Sequence, residues 1–360
     1  MSDQKPAAAS SPATSGAAPA KPAKRKNRAL SITLATVATA AILFFVGRWF
    51  ARSANLSQVW ESIRTMPPEW AAALAASSVI YLLIFPLPYV AATIGLKYWP
   101  AFMMRQTAFT ISMAVPGGGA IGLPVQYAML STFRITPQAA VTTVGIVSVG
   151  NLFMTLFMPV LGLVGLVIIG RVTASTIAGA AAGVAAVVVV SVLIGIILRS
   201  DSGAEKVGHL VTKLLAPVFR IIKKPPLDMS SRLVNFRNTV VGVLKVRWRW
   251  IIPAFFAVQF SWFAILYVAM RAVGGTVGFI ETFAAFTFAN LGLMVPITPG
   301  GLGTTDAALK ALLQLYGASS EVAVAADLVW RGVYYIPQVL LGVICFLLWQ
   351  VVLARRSVKP

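Results

Sequence analysis

"VPITPGGLGTTDAALK", residues 295–310, lies inside one of the most apolar stretches of a 360-residue chain, yet holds two prolines, three glycines, an aspartate and a lysine. Proline removes a backbone donor and glycine loosens a helix, so this segment frees peptide groups that hydrocarbon could not satisfy. Such a break is tolerated only where it faces protein, water or a polar ligand.

The surroundings are membrane-grade. The chain is 58% hydrophobic and only 11% charged, with mean hydropathy +0.83, whereas soluble chains carry about a quarter charged residues. Seven apolar blocks can be bounded: Ala29–Phe50, Trp70–Leu96, Ala101–Phe133 (interrupted), Gln138–Gly170, Ala174–Leu198, Trp248–Met270 and Phe279–Gln350 (interrupted). Each uninterrupted block meets the roughly 20 residues that about 30 Å of hydrocarbon requires. A lone cysteine, Cys345, excludes an internal disulfide or cysteine cluster, and the single histidine, His209, falls in a basic loop. Neither a metal site nor a cofactor is expected.

Charge orients the chain. Of 30 Lys and Arg, six precede Ala29, eleven lie between Arg199 and Arg249, and three follow Leu353, so these segments, and both termini, should be cytoplasmic by the positive-inside bias. The same clustering at span ends explains the net charge of +20 without a nucleic-acid partner. Residues 1–28 are rich in Pro, Ala and Ser and too poor in apolar surface to fold, hence a disordered basic tail. The run after it exceeds a normal signal-peptide core and reads as an uncleaved helix. Between the halves, residues 199–248 form a basic connector in which Val207, Leu210, Val211, Leu214 and Leu215 recur at helical spacing opposite Lys206 and Lys213; this suits the headgroup plane or a solvated linker packed on the protein. Seven of nine tryptophans (Trp49, Trp60, Trp70, Trp99, Trp248, Trp250, Trp349) fall near span ends, as interfacial anchors do.

The opening stretch has a counterpart. Residues 114–141, "AVPGGGAIGLPVQYAMLSTFRITPQAAV", align with 297–324, "ITPGGLGTTDAALKALLQLYGASSEVAV", and "AFT" recurs upstream at 108–110 and 285–287. Each copy places a P-G-G break between two apolar arms; those around Pro116 are about 13 and 15 residues, roughly 20 to 23 Å, too short to span comfortably. The fold expected is an all-α polytopic membrane protein of two inverted-topology repeats, each with a re-entrant broken-helix hairpin. The first half, residues 29–198, carries its hairpin at 103–134; the second, 249–354, carries one at 280–317; residues 355–360 are a cytoplasmic tail. Three crossings between the hairpins bring them in from opposite sides, an arrangement typical of alternating-access transporters.

The hairpin tips comprise Pro116, Gly117, Gly118 and Gly119 in the first copy and Pro299, Gly300, Gly301, Gly303, Thr304 and Thr305 in the second. Peptide N–H groups at Thr304 and Thr305 open a helix and suit a phosphate, although a tight tip packed on its repeat mate explains the glycines as well. Asp306 and Asp327 are the acids set deepest in apolar sequence, each with a base four residues on, Lys310 and Arg331. On a helix such pairs share a face, and buried charges in membranes line cavities or pair structurally. Arg331 and Lys310 are candidates to grip an anionic headgroup, with Asp306 and Asp327 holding them or receiving an ammonium. Asn290, Gln126, Tyr334, Tyr335 and Gln338 are candidates to line the same space or to serve as helix contacts. Glu281 and Glu321, near span ends, are expected to be solvated.

These motifs, "PGGGAIGLPVQYAMLSTFRITPQAA" and "VPITPGGLGTTDAALKALLQLYGASSEVAVAADLVWRGVYYIPQVLLG", resemble those of the transmembrane region of lysylphosphatidylglycerol synthase/flippases and the related stand-alone inner-membrane proteins. The resemblance covers most of residues 30–353. The matching positions are Pro299, Gly300, Gly301, Gly303, Asp306 and Arg331; the family commonly has glutamate where Asp306 stands, and an arginine near the position of Gln126. The chain resembles the form without the soluble aminoacyl-transferase domain. The resemblance implies a non-catalytic lipid translocase of the inner membrane, its partners anionic or zwitterionic phospholipids or an isoprenoid-type lipid. An intramembrane transferase acting on a lipid carrier and an ion-coupled small-solute transporter are the competing functions. Small-residue runs such as "AGAAAGVAA" within 178–186 also permit a homo-oligomer.

Overall fold

A computed structural model describes residues 64, 66–114, 118–171, 185, 188–189, 192–221, 229–294 and 303–356, all within the unit Ile42–Pro360. The tail 1–28, the block Ala29–Phe50, most of Ala174–Leu198 and the tip residues Pro116, Gly117, Pro299, Gly300 and Gly301 lie outside the described residues. The described residues contain helices and no strand.

Helix α1, Pro68–Ile84, opens with Pro68 where a missing N–H costs nothing and Glu69 against the positive helix end. It is interrupted at Phe85–Pro86 and resumes as α2, Leu87–Ala92. Two short helices follow, α3 (Tyr98–Ala114) and α4 (Gly118–Thr132), packed on each other with three residues between them. Gly118 and Gly119 thus open α4. Helix α5, Pro137–Ile168, begins at a cap in which the Thr136 hydroxyl accepts the N–H of Ala139 at 3.3 Å. Helix α6, Asp201–Ile221, is the amphipathic connector. Helix α7 runs unbroken from Met229 to Ala272, so the last part of the connector and the span Trp248–Met270 are one element. Then come α8 (Phe279–Ala289), a 3-10 turn (Asn290–Met294), α9 (Thr304–Leu315) and α10 (Ser320–Arg356).

Four helical stretches are long and apolar enough to cross a bilayer: Pro68–Ala92, Pro137–Ile168, Val240–Ala272 and Ser320–Val351. Their outward faces are apolar, with Ile80 on α1, Ile168 on α5, Ile252 and Phe260 on α7, and Leu340, Ile344 and Leu348 on α10 all exposed. Water would penalise so much contiguous apolar surface; lipid does not. The connector α6 packs along the first part of α7: Gly208 lies against the Ser230 backbone, and Arg237 bonds Asp201 at 2.7 Å and the carbonyls of Leu198 and Arg199 at 3.3 Å each. That contact is the protein-packed alternative for the connector. His209 stays exposed, one turn from Glu205.

Short, short, long is the order in both halves: α3, α4, α5 and α8, α9, α10. The packing between them is reciprocal. The first short helix of each half lies on the long helix of the other, α3 on α10 and α8 on α5. Both contacts turn on the threonine that ends an "AFT" copy. Thr110 sits against Gly342 of α10 and donates to the Val339 carbonyl at 3.3 Å, while Thr287 sits against Gly162 of α5. A Cβ at Gly342 would overlap the Thr110 hydroxyl and the Gln106 carbonyl; one at Gly162 would come within 2.6 Å of the Thr287 hydroxyl. Small residues are what let helix backbones approach this closely. Gly342→Leu and Gly162→Leu are therefore each expected to destabilise the protein by about 1–3 kcal/mol through overpacking. Gly242→Ala, on α7 with nothing within 4 Å of a new Cβ, should be neutral or stabilising by about 0.5–1 kcal/mol. Thermal unfolding in detergent compares the three.

Candidate functional site at the start of α9

The break at residues 295–303 ends in a left-handed turn. Gly303 has φ +88°, a conformation that a side chain resists, and α9 starts at the next residue. Asp306 lies in the first turn of α9, where one carboxylate oxygen, Oδ2, accepts the Gly303 N–H at 2.8 Å. This is a helix cap in which the anion also meets the positive end of the helix. The seat expected for a phosphate at Thr304 and Thr305 is therefore shared with a carboxylate belonging to the helix itself.

The other oxygen of Asp306, Oδ1, accepts the Nε–H of Arg331 from α10. Asp327, one turn before Arg331, has its Oδ1 3.8 Å from that Nε. Spacing alone pairs Asp327 with Arg331 and Asp306 with Lys310, whereas the folded chain gives Arg331 chiefly to Asp306, across two helices. A direct, charge-assisted bond with a capped and oriented carboxylate outcompetes the looser contact one turn away. Lys310 is half-buried and forms no ion pair with any described residue. Arg331 Nη1 donates to the Tyr334 hydroxyl at 3.4 Å, and the guanidinium lies 5.6 Å from the Trp330 ring centre.

Asp327, Arg331, Tyr334 and Gln338 follow one another at four, three and four residues and so form one stripe of α10. Asp327, Tyr334 and Gln338 are buried, and Arg331 exposes only 12% of its side chain. Around the stripe several buried polar atoms find no hydrogen-bond partner among the described residues: Asp327 Oδ1, Arg331 Nη2, Asn290 Oδ1, Thr305 Oγ1 and Trp262 Nε1. Buried polar atoms in native proteins are nearly always paired with protein or water. Those of Asp327 and Arg331, one turn apart on the stripe, mark a place where water or a polar ligand belongs. The 3-10 turn that carries Asn290 is held to α9 by the Thr304 hydroxyl, which donates to the Gly292 carbonyl at 3.4 Å.

Other expected residues fall elsewhere. Gln126 is buried in the first half, where its Oε1 accepts the Tyr89 hydroxyl at 2.9 Å. Tyr335 turns toward Phe109, ring centres 5.6 Å apart. Glu321 is exposed. Glu281 is not solvated: it retains 15% side-chain exposure, sits in the first turn of α8 and lies 3.9 Å from Arg171. Two neighbours were missed by sequence reasoning. Trp262 packs on Trp330, Phe286 and Tyr334, and Tyr81 meets Tyr334 edge-on at 6.1 Å. Both are polar-tipped aromatics deep within apolar blocks, and that depth was the available signal.

Chemically, one arginine faces two carboxylates. With both ionised the trio carries a negative excess in a low-dielectric setting, which suits an ammonium, a proton or a further cation. Arg331→Met would strand two carboxylates, and breaking a buried pair costs about 3–5 kcal/mol. The triple variant Arg331→Met/Asp306→Asn/Asp327→Asn is expected to regain most of that loss, read as recovery of the thermal midpoint.

Residues 29–342 match the family model described as lysylphosphatidylglycerol synthase TM region. A UPF0104 membrane protein of Methanothermobacter thermautotrophicus is 24% identical over 317 residues, covering 84% of this chain and 90% of that one.

Proposed function

The chain belongs to the lysylphosphatidylglycerol synthase transmembrane-region family, as a multi-pass membrane protein, and on that premise we propose that it is a lipid translocase. It carries a phospholipid between leaflets of the cytoplasmic membrane without covalent chemistry. The observation that carries this reading is the cluster of Arg331, Asp306 and Asp327 with its unpartnered polar atoms, enclosed by helices whose outer faces are apolar.

A headgroup crossing hydrocarbon must exchange its water for protein donors and acceptors, since an unmet charge there costs several kcal/mol. The cluster supplies both signs. Arg331 keeps Nη2 for a headgroup oxygen, and the carboxylate excess receives a headgroup ammonium, while the acyl chains stay in the bilayer. The reciprocal packing of α3 on α10 and α8 on α5 supports two inverted repeats. In this reading the α3–α4 and α8–α9 pairs are re-entrant hairpins entering from opposite sides, and both termini are cytoplasmic. Rocking of one hairpin against the opposite long helix would expose the cluster to each leaflet in turn.

Reconstituted vesicles with headgroup-labelled phosphatidylglycerol and an aminoacylated analogue test it. Wild type is expected to equilibrate at least one lipid across the bilayer. Asp327→Asn, which keeps the shape and removes one charge, is expected to slow the ammonium-bearing lipid about tenfold, the weight of one charge-assisted contact. A wild-type protein that moves neither lipid but moves a water-soluble ion or solute would replace this reading with the ion-coupled transporter.

A further inference from the structure

The second half brings carboxylates to its buried arginine; the first half does not. Between Glu69 and Asp201 the sequence contains no acidic residue, yet it contains Lys97, Arg105, Arg134, Arg171 and Arg199. Of these, Arg105 is the one set within an apolar arm. It lies on α3, seven residues beyond Tyr98, or about 10 Å along the helix axis. Tyr98 itself donates to the Leu83 carbonyl at 2.6 Å, beside an exposed Trp99, a pair suited to the membrane interface. Arg105 is thus about two turns deeper than the interface, and it is half-buried.

No described carboxylate serves it. Asp306 and Asp327 face Arg331, Glu281 faces Arg171, Asp201 faces Arg237 and Glu205 faces His209; Glu69 and Glu321 are exposed. Arg105 instead sits over aromatic rings, its guanidinium carbon 4.1 Å from the Phe85 ring centre and 5.5 Å from that of Tyr89. The ring faces stabilise the cation. Its N–H donors form no hydrogen bond or ion pair with any described residue. Tyr89 is in turn fixed by donating its hydroxyl to Gln126 Oε1 at 2.9 Å. That bond turns the Gln126 amide so that its NH2 group is the end still to be matched, and no described residue accepts from it.

We propose that Arg105 and Gln126, held over Phe85 and Tyr89, form a binding site for a phosphate-class anion, either the phosphodiester of a lipid headgroup or free phosphate. A planar fork of N–H donors and an amide, both set against Tyr89, offer the donors that phosphate oxygens accept from, and an anion supplies the negative charge that the first half lacks. The site is joined to the first cluster by rings in contact: Phe85 to Tyr81 at 5.4 Å, Tyr81 to Tyr334 at 6.1 Å, and Tyr334 to Arg331 by hydrogen bond. The assignment of the anion to a carried lipid rests on the translocase reading, whereas the anion site does not.

The test uses the full-length protein in a phosphate-free maltoside detergent, with binding read from tryptophan fluorescence or native mass spectrometry. The probes are dioctanoyl-phosphatidylglycerol, dioctanoylglycerol, which lacks the phosphate, and inorganic phosphate. Wild type is expected to bind the phosphatidylglycerol at least about tenfold more tightly than Arg105→Gln, the weight of one charge-assisted hydrogen bond, with Arg105→Lys between them. Dioctanoylglycerol should bind both weakly and alike. Gln126→Glu keeps the acceptor for Tyr89 while setting a negative charge beside Arg105, so it should abolish the phosphate preference in a folded protein even if Arg105→Gln does not fold. Competition by inorganic phosphate assigns the site to the free anion; phosphatidylglycerol binding without such competition assigns it to the lipid. Equal phosphatidylglycerol binding by wild type and the folded variants overturns the proposal. Phosphate-dependent binding by a wild type that moves no lipid in vesicles upholds the anion site and removes the translocase reading.

Discussion

One guanidinium inside an apolar bundle sets the terms for the second half of this protein. Arg331 stands within a 37-residue helix otherwise suited to hydrocarbon, and a cation there must be met. The partner is Asp306, and its availability depends on backbone geometry rather than on its own helix partner. Because Gly303 adopts a positive φ, α9 begins two residues before Asp306, and the carboxylate caps the helix with one oxygen while offering the other to α10. The P-G-G-x-G stretch ends in the residue that makes this possible. A charged pair, a helix cap and a chain reversal are thus one construction.

Packing of the two halves obeys a different economy. Where both helices are apolar and lipid is as good a solvent as protein, association needs close backbone approach and a few hydrogen bonds rather than hydrophobic drive. Gly342 and Gly162 provide the approach; Thr110 and Thr287 fill it. Each threonine ends the same tripeptide in its half, and each glycine belongs to the long helix of the opposite half. The aromatic cluster of Trp262, Phe286, Trp330 and Tyr334 packs beside the charged stripe and lowers the local dielectric on that side, which strengthens the ion pair.

Part of the candidate site was legible in residue spacing. Asp327, Arg331, Tyr334 and Gln338 form a helical stripe in the sequence as they do in the fold. Asp306 stood out as a carboxylate in apolar sequence, and Asn290 and Thr305 each bury a polar atom without a partner among the described residues. Gln126 shares the repeat's pattern but answers to Tyr89, because a side chain's partner depends on which neighbouring helix faces it. The same reason parted Asp306 from Lys310. Spacing of four residues makes a contact available; it does not say whether a better-oriented donor arrives from another helix.

Composition and hydropathy by themselves determined that the chain is helical and multi-pass, since hydrocarbon lets few other backbones exist, and Pro and Gly marked where its helices end. The repeated motif located two short-helix pairs before any geometry was known. Only the tertiary structure decided which charges are paired and which are left. Arg331 finds the carboxylate of Asp306 and Arg105 finds two aromatic rings, and neither partner is set by the residues next to the arginine in the chain. Backbone hydrogen bonding in a membrane is a local requirement, readable within a few residues. Charge neutralisation is not local, because its distances run between helices that only the fold brings together.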